Sequence, residues 1–161
     1  MKHPVFFALA ALPLLIACVQ APGGAQPSDA PAAQVSFETL VQQSIPGQSG
    51  KTVREAVRDE AAWAVLWAKL REGSALPEQP PAVDFRSEMV IATAMETQGC
   101  VSKVTIRGIV RERNRLVVDL LEAPPAPNCV CITSERPLHL VRLPRVDGPV
   151  RFEVEFGQTS C

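Results

Sequence analysis

The chain contains no tyrosine, and only two histidines and two tryptophans in 161 residues. Without tyrosine one common general acid is missing, and so few histidines leave little material for acid–base work near neutral pH. Neither sign of charge prevails: 16 Lys and Arg stand against 17 Asp and Glu, a formal net charge of −1. That balance excludes the electrostatic footprint of a nucleic-acid binder. Arg107, Arg111, Arg113 and Arg115 gather around an expected hairpin tip and are read as a solvated tip rather than an anion site. No GxSxG turn is present. "PGQSGKT" places Gly47 only three residues before Gly50, where a phosphate-binding loop needs five. Paired CxxC spacing, the usual mark of a zinc site or a thioredoxin-like redox site, is also missing.

Long apolar runs are confined to the start. Lys2 supplies a positive n-region, and Val5 to Ala17 form an apolar stretch of signal-peptide length. That is shorter than the roughly 18–20 residues a membrane-crossing helix needs. The sequence "LIAC" at residues 15–18 resembles the bacterial lipobox, in which the cysteine is lipidated and becomes the mature N-terminus. The resemblance implies a chain held to membrane lipid by acyl groups on Cys18. Val19 stands where an Asp commonly signals inner-membrane retention, so the expected address is the outer membrane. Residues 19–34, "VQAPGGAQPSDAPAAQ", hold one charge and no aromatic ring. Such a segment buries too little apolar surface to offset its ordering entropy. As a flexible chain it would span about 20 Å root-mean-square, and more where the prolines stiffen it. The expected organisation is therefore a signal peptide over 1–17, a lipidated Cys18 with a tether to 34, and one domain over 35–161.

Within that domain "DEAAWAVLWAKLREG" predicts a helix. Asp59 is a good N-cap, Glu60 suits the first turn and Gly73 marks the exit. Trp63, Leu66, Trp67 and Leu70 recur at i, i+3, i+4 and i+7 and predict a buried stripe. The remaining runs predict strands: "SEMVIATAME", "VSKVTIRGIVRE", "RLVVDLLEA", "CVCITS", "LHLVRLP" and "VRFEVEF". "KTVREAVR" adds an earlier strand, with "VSFETLV" a weaker candidate. "ERNR" at residues 112–115 predicts a tight turn with Asn114 at positive φ. Short connections favour antiparallel meander pairing, so the expected fold is mainly β, a sandwich or partly open barrel with one amphipathic helix packed on it. "LPEQPPA" and "EAPPAPN" carry Pro-x-x-Pro spacing, which favours polyproline II.

His139 lies in the strand "LHLVRLP", where a lone histidine is ordinarily a packing or surface residue. A hydrolase built on it would need a carboxylate such as Asp84, Asp119 or Asp147 brought close in space. Four cysteines follow Cys18: Cys100, Cys129, Cys131 and Cys161. An even number in an exported domain predicts two disulfides, with a tetrathiolate zinc site or a redox pair as the alternatives. In a regular strand residues i and i+2 stand about 6.6 Å apart and point the same way, which disfavours a Cys129–Cys131 bond. Each then reaches outward, one to Cys100 and one to Cys161. The pairing Cys100–Cys129 with Cys131–Cys161 is preferred weakly. No metal and no cofactor is expected.

"RDEAAWAVLWAKL", "PAVDFRSEMVIA", "TSERPLHLVRLPR" and "PVRFE" together resemble the PrcB C-terminal domain family over most of residues 51–155. The match is strongest at Trp63, Leu66, Trp67, Asp84, Phe85, Met89, Val90, Pro137, Val141 and Pro144. Where the family commonly has a "TGGY"-like turn, this chain has "TQGC", keeping Thr97 and Gly99 but placing Cys100 at the aromatic position. That departure suggests a bridge in place of ring packing. The resemblance implies a small, mainly β domain of exported proteins, whose named member is an accessory lipoprotein stabilising a subtilisin-like surface protease complex. It therefore implies a binding role, with an exported serine protease or another envelope protein as partner and no catalytic residues. A purely structural envelope protein is the remaining expectation.

Overall fold

"EMVIATA" and "LHLVRLP" are apolar at nearly every position instead of every second one, a pattern that belongs to strands covered on both faces. The computed structural model, which describes residues 32–46, 50–96, 98–99 and 102–161, shows that cover. In chain order the elements are β1 (Ala33–Gln34), β2 (Glu38–Pro46), β3 (Val53–Val57), α1 (Glu60–Arg71) and β4 (Glu88–Ala94). They continue as β5 (Gln98–Gly99), β6 (Lys103–Glu112), β7 (Arg115–Ala123), β8 (Ser134–Pro144) and β9 (Val150–Phe156). One sheet has the order β1-β6-β7-β9. The other has the order β2-β8-β4-β3, with β5 added against β8. Among the described residues the fold is a β-sandwich with one helix, and no barrel closes. The signal peptide, Cys18, most of the tether, Thr97 and Cys100 lie outside the described residues. β1 takes in the last two residues of the segment whose composition suggests a tether.

Alternation sorts β4 and β8 between two cores. Val90, Ala92, Ala94, Leu138 and Leu140 face the helix, packing with Trp63, Leu66, Trp67 and Leu70. Met89, Ile91, Val141 and Leu143 face the first sheet, packing with Ile106, Ile109, Leu116, Val118 and Leu120. The helix is therefore a third layer on the outer side of the β2-β8-β4-β3 sheet.

The helix begins where Asp59 accepts a hydrogen bond from the Ala62 N–H at 2.8 Å, and Gly73 beyond its end has φ +67°. All four residues of its apolar stripe are buried. The tryptophan rings stand 5.4 Å apart, centroid to centroid, tilted by 56°. Both indole N–H groups donate into the proline loop that follows, Trp63 to the Pro81 carbonyl and Trp67 to the Pro77 carbonyl, each at 3.1 Å. "LPEQPPA" is thus a strap over the helix, with the Pro77 and Pro81 carbonyls engaged.

Three expectations need correction. The Asn of "ERNR" does not hold the positive φ; Arg113 does, at 57°. Asn114 instead lies with its backbone against Gly148: a Cβ on that glycine would stand 1.4 Å from the Asn114 oxygen. Pairing is not a pure antiparallel meander, because β7 and β9 run parallel. The chain leaves β7, returns antiparallel as β8 in the other sheet, and so re-enters beside β7 in the same direction. Nor is "CVCITS" a strand, since β8 begins only at Ser134. Pro124, Pro125 and Pro127 offer no ladder donors, and the Cys129 N–H closes a turn on the Ala126 carbonyl at 2.9 Å.

Candidate functional site: the disulfide-braced loop between β7 and β8

β7 and β9 end side by side, and the two segments that follow them are stitched together. Thr159 donates its N–H to the Pro124 carbonyl at 3.0 Å, and Ala126 donates its own to the Thr159 carbonyl at 3.1 Å. Cys129 then bonds Cys161, with S–S 2.04 Å and Cα atoms 5.5 Å apart. This overturns the preferred pairing of Cys100 with Cys129 and Cys131 with Cys161. The physical reason is the strand that did not form: as a turn, residues 126–129 bring Cys129 to the C-terminal segment already held at Thr159. Cys131 is disulfide-bonded as well, through a partner outside the described residues. Its sulfur lies over Gly99, where a Cβ would stand 2.8 Å away.

With both cysteines engaged, the residues between and after them face outward. Val130 is 91% exposed and Ile132 95%, and Phe156 at the same end of the sheet is 73% exposed. No charged residue lies between Glu122 and Glu135. The result is a covalently held, neutral, aliphatic loop tip. The sulfurs of Cys129 and Cys161 are spent on each other, so a tetrathiolate site has no ligands there, and the CxC is not bonded within itself. Among the described residues no group of three or more His, Cys, Asp or Glu side chains is placed to hold a metal.

His139 belongs to the fold. It is buried, with Nδ1 2.9 Å from the Ile106 N–H of β6 and Nε2 3.0 Å from the Thr39 hydroxyl of β2. The backbone N–H can only donate, so Nδ1 accepts, and the proton sits on Nε2, donated to Thr39. Burial, and then the Lys103 ammonium, push the imidazole below its ordinary pKa. The carboxylates named from the sequence are elsewhere. Asp84 caps the turn at Arg86, whose guanidinium holds its carboxyl below the usual range. Asp119 pairs with Arg107, and Asp147 with Arg145. No triad assembles.

The arginine cluster is occupied too. Arg107 bridges Asp119 and Glu155, Arg115 binds Glu112, and Arg111 donates to the Arg113 carbonyl. At the seam between β2 and β6 a cleft of about 300 Å³ opens, lined by Gln42, Ser44, Ser102 and Lys103 among others. Its walls offer hydroxyls, amides and one ammonium.

The exposed loop tip was not legible from the sequence. The signal available was the run of residues without charge around two cysteines, which strand periodicity obscured. No family model, curated protein or solved structure matches the chain.

Proposed function

We propose that the chain is an exported, lipid-anchored, non-catalytic binding module of the bacterial cell envelope, accessory to another envelope protein. The resemblance to the PrcB C-terminal domain family makes an exported protease complex the first candidate for that partner. The observation that carries the proposal is the allocation of reactive groups. His139 is spent on joining strands and Cys129 on bonding Cys161, while the most exposed aliphatic side chains among the described residues stand on a covalently held loop. That distribution suits holding a partner better than turning over a substrate. Disulfides persist in oxidising compartments, which supports export, and the lipobox-like "LIAC" supports anchoring at Cys18.

The test is recovery of the tagged, full-length chain from detergent-solubilised envelope, followed by mass spectrometry of what accompanies it. A reproducible envelope protein in stoichiometric yield is expected. Repeated recovery of the folded chain alone would remove the accessory role. Cys18→Ser separates anchoring from binding: the soluble chain should still capture the partner but no longer sediment with membrane.

A further inference from the structure

We propose that β9 is a self-association edge: a second copy of this chain pairs with it antiparallel about a two-fold axis at Phe152. This goes beyond the accessory role and does not depend on it. β9 stands at the end of the β1-β6-β7-β9 sheet, with only β7 beside it. Leu116 donates its N–H to the Pro149 carbonyl at 3.0 Å, and Gly157 donates its own to the Glu122 carbonyl at 2.9 Å. Backbone direction alternates along a strand, so the odd-numbered residues of β9 turn their N–H and C=O groups to β7. Those of Val150, Phe152 and Val154 point the other way, and among the described residues no strand takes them up. The other sheet edges are blunted by shortness, a bulge or proline. β1 has two residues and β3 five, while β2 carries a bulge between Thr39 and Val41 and ends on Pro46. β9 has seven residues in unbroken register, with neither proline nor lysine.

Charge selects the occupant. Arg151, Glu153 and Glu155 share the outer face of β9. Glu155 is already met by Arg107, and Glu153 lies beside Asp119, its register partner in β7. Arg151 and Glu153 pair with each other, and both are about half exposed. In an antiparallel pair, residues with outward backbone groups form the hydrogen-bonded positions, and the residues between them face one another more closely. With the axis at Phe152, that residue faces itself and Val150 faces Val154 of the second copy, each pair exchanging both backbone hydrogen bonds. Arg151 then faces Glu153 of the second copy, and Glu153 faces its Arg151, closing a ring of alternating charge. Moving the axis to Arg151 or Glu153 sets that side chain against itself, and moving it to Val154 sets Glu153 against Glu155. The ladder ends at Val150, because the Gly148 carbonyl already accepts from Arg58 at 2.6 Å. On the inner face Val150, Phe152 and Val154 are half-buried against the sandwich core, so the second copy extends that apolar row. Another protein would have to present the same charges at the same spacing, whereas a second copy does so by symmetry.

The test follows the purified full-length chain by sedimentation velocity over a concentration series, where the parent should pass from monomer to dimer. Arg151→Glu sets Glu against Glu across the axis, and Glu153→Arg sets Arg against Arg. For each variant alone the dissociation constant should rise at least about tenfold. Both positions are exposed, so each variant should keep the parent's denaturant midpoint. Mixing the two variants restores opposite charge at both facing pairs. The mixture should form a one-to-one heterodimer, resolved by native mass spectrometry. A benzophenone amino acid at Phe156, which is 73% exposed, should on irradiation in cells label a second copy near Gly148. Adducts to a different protein would make β9 a site of strand addition for another chain and overturn self-pairing. A parent that stays monomeric, or dimerisation unchanged in both charge variants, overturns it as well. Neither result touches the accessory role, which is tested by partner recovery from the envelope.

Discussion

His139 Nδ1 accepts the Ile106 backbone N–H at 2.9 Å, tying β8 of one sheet to β6 of the other. Protonation puts a hydrogen on the atom that must accept, so the bond survives only with the neutral ring. The folded pKa is lowered by burial and by Lys103. In the unfolded chain the ring takes its proton first, at about 6.5. Stability is therefore full above about pH 6.5 and declines as pH falls from there towards the lowered folded value. The slope is at most about 1.4 kcal/mol per pH unit. Denaturant titrations between pH 7.5 and 5 should show this decline in the parent and a flatter profile in His139→Gln. Equal slopes in both would refute the assignment.

Trp63 and Trp67 each combine a buried ring with an N–H donated to a proline-loop carbonyl. Trp67→Phe keeps most of the ring and leaves the Pro77 carbonyl without that donor, at a cost of about 1–3 kcal/mol. Trp67→Ala adds a cavity and should cost about 3–5 kcal/mol. Limited proteolysis should cut first within residues 76–81 in the Phe variant, since that strap has lost a tether.

Gly148 and Gly73 should respond differently to alanine. At Gly148 the added Cβ meets the Asn114 backbone oxygen at 1.4 Å, so the β6–β7 hairpin must move; the change should cost on the order of 2–4 kcal/mol. At Gly73 nothing lies within 4 Å, and only the left-handed backbone at φ +67° opposes the side chain, worth about 1–2 kcal/mol. Thermal denaturation of the two variants ranks them; a milder effect at Gly148 than at Gly73 would contradict the packing described.

Arg54 of β3 reaches across the sandwich to the buried carboxylate of Glu122 on β7, at 2.7 Å. Arg54→Ala leaves that carboxylate inside without its partner, and a loss of about 3 kcal/mol is expected. Replacing both, Arg54→Met with Glu122→Leu, should recover most of it. The double-variant cycle fails the claim if the single and double changes cost the same.

The Cys129–Cys161 bond closes a loop of sequence separation 32. In the chain-entropy picture that is worth roughly 3–4 kcal/mol, so Cys129→Ser with Cys161→Ser should lose about that much in urea titration. Alkylation of the unreduced, denatured domain should leave Cys129, Cys131 and Cys161 unmodified. A labelled thiol at any of them would contradict the framework.

Local chemistry was enough to determine the helix, its cap and its buried stripe, because side-chain spacing at 3.6 residues per turn is a property of the segment alone. The β class followed in the same way from alternation in β6, β7 and β9 and from continuous apolar runs in β4 and β8. The parallel β7–β9 pairing, Arg113 rather than Asn114 at positive φ, and the partner of Cys129 depend on which segments meet after the chain has turned, and no local pattern encodes that. The loop tip is the clearest case. "CVCIT" has the composition of a strand, yet prolines before it deny it a ladder. A hydrogen-bonded C-terminal segment captures Cys129, and Val130 and Ile132 are left facing water. The residues alone determined that this stretch is neutral, apolar and rich in sulfur. Only the tertiary structure decided that its sulfurs turn to the protein and its aliphatic side chains turn out, because a disulfide needs two distant segments held within about 6 Å.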